Sequence, residues 1–321
     1  MFQFSRCVSQ LKTSAVIGAL SVFTLSAVSL TVQASGTKTV ESQVKDVKNK
    51  AHKKLALAKG DIDSILLSQP VEVQARYEHR HPKETLEFFK IKPGMKVMEV
   101  LPGRGWYTKI LLPLIGSEGE LVGVDYPQSL WPHFSFMTPD ALEAKKTWVS
   151  TWTKDASSWG DENSAKVSAF QFAEMPKSYK SSLDAALFIR ALHNLNRHED
   201  KGDYIDPALK ETFEALKPGG LLGVVQHEAR EDRPDSWADG NNGYLKKSFV
   251  KKKMAEHGFE FVAESDVNSN PKDQANVGDS VWRLPPSSRS KSKDEKYLQS
   301  LLDIGETNRM TLLFKKPDSK K

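Results

Sequence analysis

A short turn and the acid that follows it carry the residue types best suited to binding a ligand. Residues 99–105 read Glu-Val-Leu-Pro-Gly-Arg-Gly and join a predicted strand to a predicted helix. Gly103 and Gly105 would let the backbone approach a ligand closely, and the first amides of the helix would point at it. The next predicted strand ends in Asp125, 20 residues beyond Gly105. A carboxylate there can accept hydrogen bonds from both hydroxyls of a ribose.

Two interpretations of this turn are open. The buried strand before it and the helix after it favour a nucleoside site. In the alternative, the glycines only permit a tight strand-to-helix connection, and Asp125 caps a helix or loop. A nicotinamide dinucleotide is disfavoured, because the helix continues with Trp106, Tyr107 and Thr108. The third glycine that a pyrophosphate site needs is therefore replaced by a bulky residue.

Strands and helices alternate on both sides of this turn. Apolar runs typical of buried strands in a parallel sheet predict strands at 96–101, 119–125 and 221–226. Further strands are predicted at 167–172, 182–189, 259–265 and 310–315. Amphipathic patterns predict helices at 84–90, 106–115, 207–216 and 245–257. The segment 126–162, which holds four tryptophans, is the least regular part. The alternation predicts an α/β fold with a Rossmann-like, doubly wound sheet and right-handed crossovers.

The first 34 residues have the composition of a secretory signal peptide. Arg6 and Lys12 precede an apolar run at 15–32, and residues 32–34, Val-Gln-Ala, form a cleavage site. An uncleaved anchor is the alternative, since the run is just long enough to cross a bilayer core of about 30 Å. We expect cleavage after Ala34 and a periplasmic or secreted protein that is not inserted in the membrane afterwards.

The rest of the chain is predicted to form a lead-in and one domain. Residues 35–70 are polar and Lys-rich, with a helical pattern at 44–58, and residues 71–317 form the domain. A chain of 321 residues with 39% hydrophobic content can bury the core of one large α/β domain.

Composition excludes several other kinds of protein. Cys7 is the only cysteine and lies in the predicted leader, so the mature chain has no thiol chemistry and no disulfide. Loss of Arg6 and Lys12 lowers the formal charge from +5 to +3, which does not favour nucleic acid as a partner. Histidine pairs such as 79 with 81 and 193 with 198 lack a third ligand at a suitable spacing, so no metal site is predicted.

Residues 97–108 resemble the first motif of the class I S-adenosylmethionine-dependent methyltransferases. They read Val-Met-Glu-Val-Leu-Pro-Gly-Arg-Gly-Trp-Tyr-Thr and are similar, more narrowly, to the exported "predicted methyltransferase" group, in which aromatic residues follow a Pro-Gly-x-Gly turn. Later segments resemble the second motif, the fourth-strand motif, the turn before the fifth strand and the antiparallel last strand: 122–125, 183–195, 216–220 and 311–316. The resemblance covers about 76–317 and implies a class I methyltransferase fold, mostly parallel with an antiparallel last strand.

The resemblance also implies S-adenosylmethionine as the cofactor. Glu99 would hold the amino group of its methionine moiety, which would lie against Gly103 and Gly105. Asp125 would bind the ribose hydroxyls, and Tyr126 would lie near the adenine.

The implied reaction is methyl transfer to a small-molecule acceptor. A sulfonium leaving group needs little acid catalysis, so the enzyme mainly aligns donor and acceptor and removes a proton from the acceptor. His193 and His227, just past the fourth and fifth main strands, are the candidates for that step, and a role in orienting loops is the alternative for each. Leu101 replaces the family's first glycine. Together with the export signal, it keeps open a non-catalytic exported protein that binds a nucleoside or another small ligand.

Overall fold

The computed structural model describes residues 61–319. The predicted leader at 1–34 and the predicted helix at 44–58 lie outside these residues. The strands within the described range are β1 (Lys96–Val100), β2 (Glu120–Asp125), β3 (Lys166–Gln171), β4 (Leu183–Ile189), β5 (Leu216–Ala229), β6 (Leu245–Lys246), β7 (Glu260–Ser265) and β8 (Arg309–Lys315).

Helices cover both faces of these strands. They are α1 (Ile62–Ser68), α2 (Val71–Gln74), α3 (Tyr77–Arg80), α4 (Pro82–Phe88), α5 (Thr108–Ile115), α6 (Pro139–Lys146), α7 (Trp148–Ser158), α8 (Leu192–Asn196), α9 (Ile205–Ala215), α10 (Lys247–Glu256) and α11 (Glu295–Ile304). In the part of the chain that the structure describes, none of them is long and apolar enough to cross a membrane.

The sheet is open and has the strand order β3-β2-β1-β4-β5-β8-β7, with the two-residue β6 beside β5. β1 to β5 pair in parallel, and β8 runs antiparallel to both β5 and β7. The predicted fold class, a mostly parallel sheet with an antiparallel last strand, is confirmed. The order reverses between β1 and β4, and in such sheets ligands bind beyond the carboxyl ends of the strands at this point.

Alternate residues of β1 enter two apolar clusters on opposite faces of the sheet. Met98 and Val100 pack in one cluster with residues of α9 and α10. Val97 packs in the other with α1, α4 and α5. Because both faces are covered, the strand reads as a continuous apolar run rather than an alternating one.

Several helices differ from the sequence prediction. α6 and α7 lie within 126–162, where the sequence showed little regularity, although Thr138 caps α6 by accepting a hydrogen bond from the backbone N–H of Ala141 at 3.2 Å. α11 was not predicted either, and Leu301 is its only buried residue. α1 falls in the predicted lead-in, yet Ile62, Ile65 and Leu66 pack into the core. The described part of the lead-in is thus packed on the domain.

Candidate active site

Glu99 is a buried carboxylate on β1. It is 4% exposed and accepts a hydrogen bond from the hydroxyl of Thr108, the first residue of α5, at 2.7 Å. Burial raises the pKa of Glu99 to about 7, and the bonds from Thr108 only partly oppose this. Among residues 61–319, no cation pairs with it. An ammonium group brought beside this carboxylate would favour its charged form.

The turn after β1 is held in a left-handed backbone conformation. Leu101, Gly103 and Gly105 have φ values of +52°, +57° and +77°. A leucine in this region costs about 1–2 kcal/mol relative to ordinary backbone geometry. The Leu101 N–H is tied to the carbonyl of Val124 on β2 at 2.7 Å. The leucine therefore adopts the backbone geometry that a glycine would take at this position.

The two glycines of the turn have different surroundings. A Cβ atom on Gly103 would meet only the Leu101 carbonyl oxygen, at 3.9 Å, so the space above this residue is open. A Cβ atom on Gly105 would lie 2.1 Å from the Trp159 ring. Gly103 can thus admit a ligand to the backbone, whereas Gly105 makes room for a tryptophan.

Asp125, at the end of β2, is covered by a lysine that the sequence analysis did not identify. Lys145 of α6 donates to Asp125 Oδ2 at 2.7 Å, and its ammonium lies 3.5 Å from the ring centroid of Trp131. Asp125 is 1% exposed, and its Oδ1 has no hydrogen-bond partner among the described residues. Burial raises the pKa of Asp125, and the charge of Lys145 acts against this rise. One carboxylate oxygen is therefore free to accept a ligand hydroxyl.

Glu99 and Asp125 lie on neighbouring strands. Glu99 is paired with Gly123 in the parallel register of β1 and β2, so Asp125 is two residues farther along the adjacent strand. The two acids therefore lie on either side of the turn after β1. Tyr126 is fully buried, and its hydroxyl donates to the Ala191 carbonyl at 2.6 Å. Its side chain belongs to the core, and only its backbone is available to line a nucleoside site.

A cavity of about 250 Å³ opens at the carboxyl ends of β4 and β5. Its walls come from the turn after β1, the segments after β4 and β5, and two loops near the C-terminus, and include Leu101, Arg190, His193, His227, Glu306 and Thr307. The two histidines share this cavity, with ring centroids 5.4 Å apart. The structure therefore brings both predicted histidines together beside the turn, while Glu99 and Asp125 lie outside the cavity walls.

The hydrogen bonds of Gln226 determine the tautomer of His193. The Gln226 Nε2 donates to the Gly243 carbonyl at 2.9 Å, so its Oε1 faces the His193 Nδ1 at 3.3 Å. An amide oxygen only accepts, so Nδ1 carries the proton and Nε2 keeps a lone pair. Burial lowers the pKa of His193 to about 4. At neutral pH this side chain is thus a neutral base.

His227 lies in the same cavity wall. Its Nδ1 contacts the hydroxyl of Thr307 at 2.6 Å. Burial, followed by the charges of His193, Arg190 and Arg309, lowers its pKa well below the usual value. His227 therefore also stays neutral at physiological pH.

Sequence reasoning missed several residues of the site. Arg190 directly follows the apolar run of β4, so the rule that ligands bind at the carboxyl ends of strands would have singled it out. Gln226 ends a predicted strand and carried the same signal. No local pattern marks Lys145, which lies in the irregular segment 126–162, or Glu306, which lies just before the last-strand motif.

Three features match the chemistry of S-adenosylmethionine. Glu99 is a buried carboxylate without a cation and suits an ammonium group. Gly103 leaves open space at the turn, and the free Oδ1 of Asp125 suits a ribose hydroxyl. Lys145 occupies Oδ2 only. The residues present therefore fit the cofactor.

The strand order is the one expected of the class I methyltransferase fold, and the residues of the turn and of β2 fit S-adenosylmethionine. The sequence model of the family described as Protein-L-isoaspartate(D-aspartate) O-methyltransferase matches residues 37–135, just under a third of the chain. This match includes β1, the turn and β2. No curated protein matches the sequence significantly.

Many solved structures match this chain at low identity. Geranyl diphosphate C-methyltransferase from Streptomyces coelicolor is 15% identical, with 80% of this chain and 88% of that chain covered and a TM-score of 0.47. An S-adenosylmethionine-dependent methyltransferase from Aquifex aeolicus is 15% identical, with 80% and 98% covered and a TM-score of 0.44. An arsenic(III) methyltransferase from Chlamydomonas reinhardtii is 15% identical, with 80% and 73% covered and a TM-score of 0.42. These values carry no information on the acceptor.

Proposed function

We propose that this protein transfers a methyl group from S-adenosylmethionine to a small-molecule acceptor. The observation that carries the proposal is the pair of buried acids, Glu99 and Asp125, on adjacent parallel strands beside the open backbone at Gly103. Glu99, which has no cationic partner among the described residues, suits the amino group of S-adenosylmethionine. Asp125, which has one oxygen without a partner, suits its ribose.

Each residue has a role that follows from its surroundings. Glu99 binds the amino group, the backbone at Gly103 lies against the amino-acid part, and Asp125 Oδ1 accepts a ribose hydroxyl. When bound, S-adenosylmethionine supplies a methyl group on a sulfonium centre, which the acceptor's lone pair attacks as the carbon–sulfur bond breaks. The protein's own contribution is alignment of the acceptor and acceptance of its proton.

His193 is the residue best placed to accept that proton. Its Nε2 has a lone pair because Gln226 holds the proton on Nδ1. Its low pKa, about 4, keeps the ring neutral over the physiological range but also makes it a weak base. It therefore suits an acceptor that loses its proton as the new bond forms. His227, in the same wall, contributes a second neutral imidazole.

Thermal unfolding of the purified protein tests the binding step. At a hundredfold excess over Kd, a ligand adds about 2.7 kcal/mol, which raises the midpoint by about 5 °C for a domain of this size. We expect this shift with S-adenosylmethionine and with S-adenosylhomocysteine, and none with NAD. Asp125→Asn should abolish it. Asp184→Asn should retain it, because Asp184 lies at the opposite end of β4 and pairs with Lys217 at 2.6 Å. No shift with either adenosyl ligand at millimolar concentration would refute the assignment.

Turnover distinguishes the enzyme from a second candidate, a non-catalytic exported binding protein. Leu101 at the glycine position and the cover of Lys145 over Asp125 favour that candidate. Release of S-adenosylhomocysteine is measured by mass spectrometry with panels of small acceptors. We expect release that falls at least about a hundredfold in His193→Asn, while S-adenosylhomocysteine binding is kept. Binding without release in any panel would support the second candidate.

We also propose that the protein acts outside the cytoplasm, in the periplasm or as a secreted protein. The proposal rests on the basic start at Arg6 and Lys12, the apolar run at 15–32 and the small residue at Ala34. Expression with the native leader, cell fractionation and intact-mass measurement test it. We expect an exported chain that begins at Ser35. A membrane-bound chain that retains its first residues would show an uncleaved anchor instead.

A further inference from the structure

Positive charge exceeds negative charge around the cavity at β4 and β5. Glu306, a wall residue that is 4% exposed, pairs with Arg76, with Arg80 at 3.5 Å and with Arg309 at 3.0 Å. One carboxylate therefore serves three guanidinium groups. The next acid, Asp273, is already paired with Arg283 at 2.8 Å.

Arg190 adds a fourth guanidinium group to this cluster, and this one lines the cavity directly. Among residues 61–319, no carboxylate forms an ion pair with it. Burial and the charge of Arg309 lower its pKa to about 10, so it remains positive at neutral pH. Arg190 is half-buried, and a cation that is partly withdrawn from water without a counter-ion is stabilised when a ligand neutralises it.

The backbone at Arg190 is held in an unusual conformation. Its φ is +59°, in the left-handed region, and its N–H donates to the Val225 carbonyl on β5 at 2.6 Å. Such residues cost about 1–3 kcal/mol and cluster at ligand sites, where the surrounding structure holds them in place. Here the sharp change of direction after β4 places the arginine in the wall of the cavity.

We propose that this cavity binds an anionic group of the methyl acceptor, a carboxylate or a phosphate, with Arg190 as its counter-ion. The proposal rests on the proposed function, because it names the class of acceptor for that reaction. An arginine offers paired N–H donors that match both kinds of oxyanion. His193 and His227 in the same wall are neutral, so Arg190 is the only cation among the described residues that line this cavity. A volume of about 250 Å³ suits a small molecule.

Anion binding is measured by thermal unfolding with inorganic phosphate and with succinate, at constant ionic strength. We expect both probes, or one of them, to raise the midpoint in a saturable way. Arg190→Gln should weaken the affinity about tenfold or more. The variant should unfold at the same temperature as the wild type or higher without the anion, because it removes a cation from a repulsive cluster. Arg230→Gln, a surface arginine paired with Asp232, should bind the anion like the wild type.

A second series of titrations distinguishes the acceptor from the donor's own carboxylate. In the presence of saturating S-adenosylhomocysteine, the anion should still bind. The rise in the unfolding midpoint that it causes should add to the rise caused by S-adenosylhomocysteine. Competition between the two would overturn the proposal, since Arg190 would then hold the donor. Absence of any saturable shift with phosphate or succinate would also overturn it. Anion binding without any effect of S-adenosylhomocysteine would support the anion site and refute the proposed function instead.

Discussion

Lys145 forms an ion pair with Asp125 in a place where Asp125 is almost completely buried. The Nζ to Oδ2 distance is 2.7 Å, and Trp131 closes the other side of the ammonium at 3.5 Å from its ring centroid. The second carboxylate oxygen faces no donor in the described part of the chain. Lys145 thus opposes the rise in the pKa of Asp125 that burial causes, and the pair leaves one acceptor atom unused. Both properties suit a ribose site.

We predict that Lys145→Met destabilises the protein by about 2 kcal/mol. Methionine keeps the apolar stem against Trp131 but leaves the Asp125 carboxylate buried without a cation, and broken buried pairs cost several kcal/mol. The figure is reduced because the Lys145 side chain is 19% exposed. Urea unfolding at pH 7 measures the change. Lys146→Met is the control, since Lys146 pairs only with exposed Glu143 and should cost less than about 0.5 kcal/mol. Equal losses in both variants would contradict the prediction.

Glu99 should make the stability depend on pH. Its pKa is about 7 in the folded protein and 4.5 without the fold. The folded state therefore holds the proton more tightly, and stability falls as pH rises from about 4.5 to about 7. The difference corresponds to about 3 kcal/mol.

Comparison with Glu99→Gln isolates this contribution. Between pH 4.5 and pH 8, the wild type should lose about 3 kcal/mol more unfolding free energy than the variant. Other titrating groups, including His193, act in both proteins and cancel in the difference. Parallel stability profiles for the two proteins would show that Glu99 does not titrate in this range.

At position 101, the usual order of stability of alanine and glycine variants should be reversed. Both Leu101→Ala and Leu101→Gly remove the side chain, but only glycine relieves the backbone at φ +52°. We therefore expect Leu101→Gly to be more stable than Leu101→Ala by about 1 kcal/mol. The control pair is Leu67→Ala and Leu67→Gly, at a residue of α1 that is 76% exposed. There the alanine variant should be more stable than the glycine variant by about 1 kcal/mol. The same order at both positions in denaturant unfolding would rule out strain at Leu101.

The tautomer of His193 should be visible by nitrogen NMR. At pH 7 the ring should be neutral with its proton on Nδ1, and it should titrate near pH 4. Gln226→Leu removes the acceptor and should move part of the population to the Nε2–H form. A His193 ring that is protonated on Nε2 in the wild type would remove its assignment as the base.

The sequence predicted β1, β2 and β4 well because these strands are buried on both faces. The run at 96–101 is apolar except for Lys96 and Glu99, and the structure has β1 at Lys96–Val100. The helices between β2 and β3 were not predicted, since α6 buries no residue and α7 buries only Trp152 and Ala156. Elements held by so few apolar contacts leave little periodicity in the sequence.

The site was predictable only where it is local in sequence. Glu99 and Gly103 belong to one motif, and Asp125 ends the next strand. By contrast, Lys145 of α6 binds Asp125 of β2, and Glu306 pairs with Arg76, which lies 230 residues earlier in the chain. Contacts of this kind depend on how elements pack, and a single sequence carries no pattern for them. The cavity charge therefore emerges only from the fold.

The position of β8 has a consequence for the order of folding. β8 lies between β5 and β7, and it carries Arg309, whose guanidinium binds the carbonyl of His79 from 230 residues away. Contacts at such separations form late, because long loops must close before they stabilise the chain. A growing chain that has folded through β5 already holds both histidines but lacks Glu306 and Thr307. The cavity wall is complete only when β8 has paired in the sheet. A ligand can therefore bind there only after folding is complete.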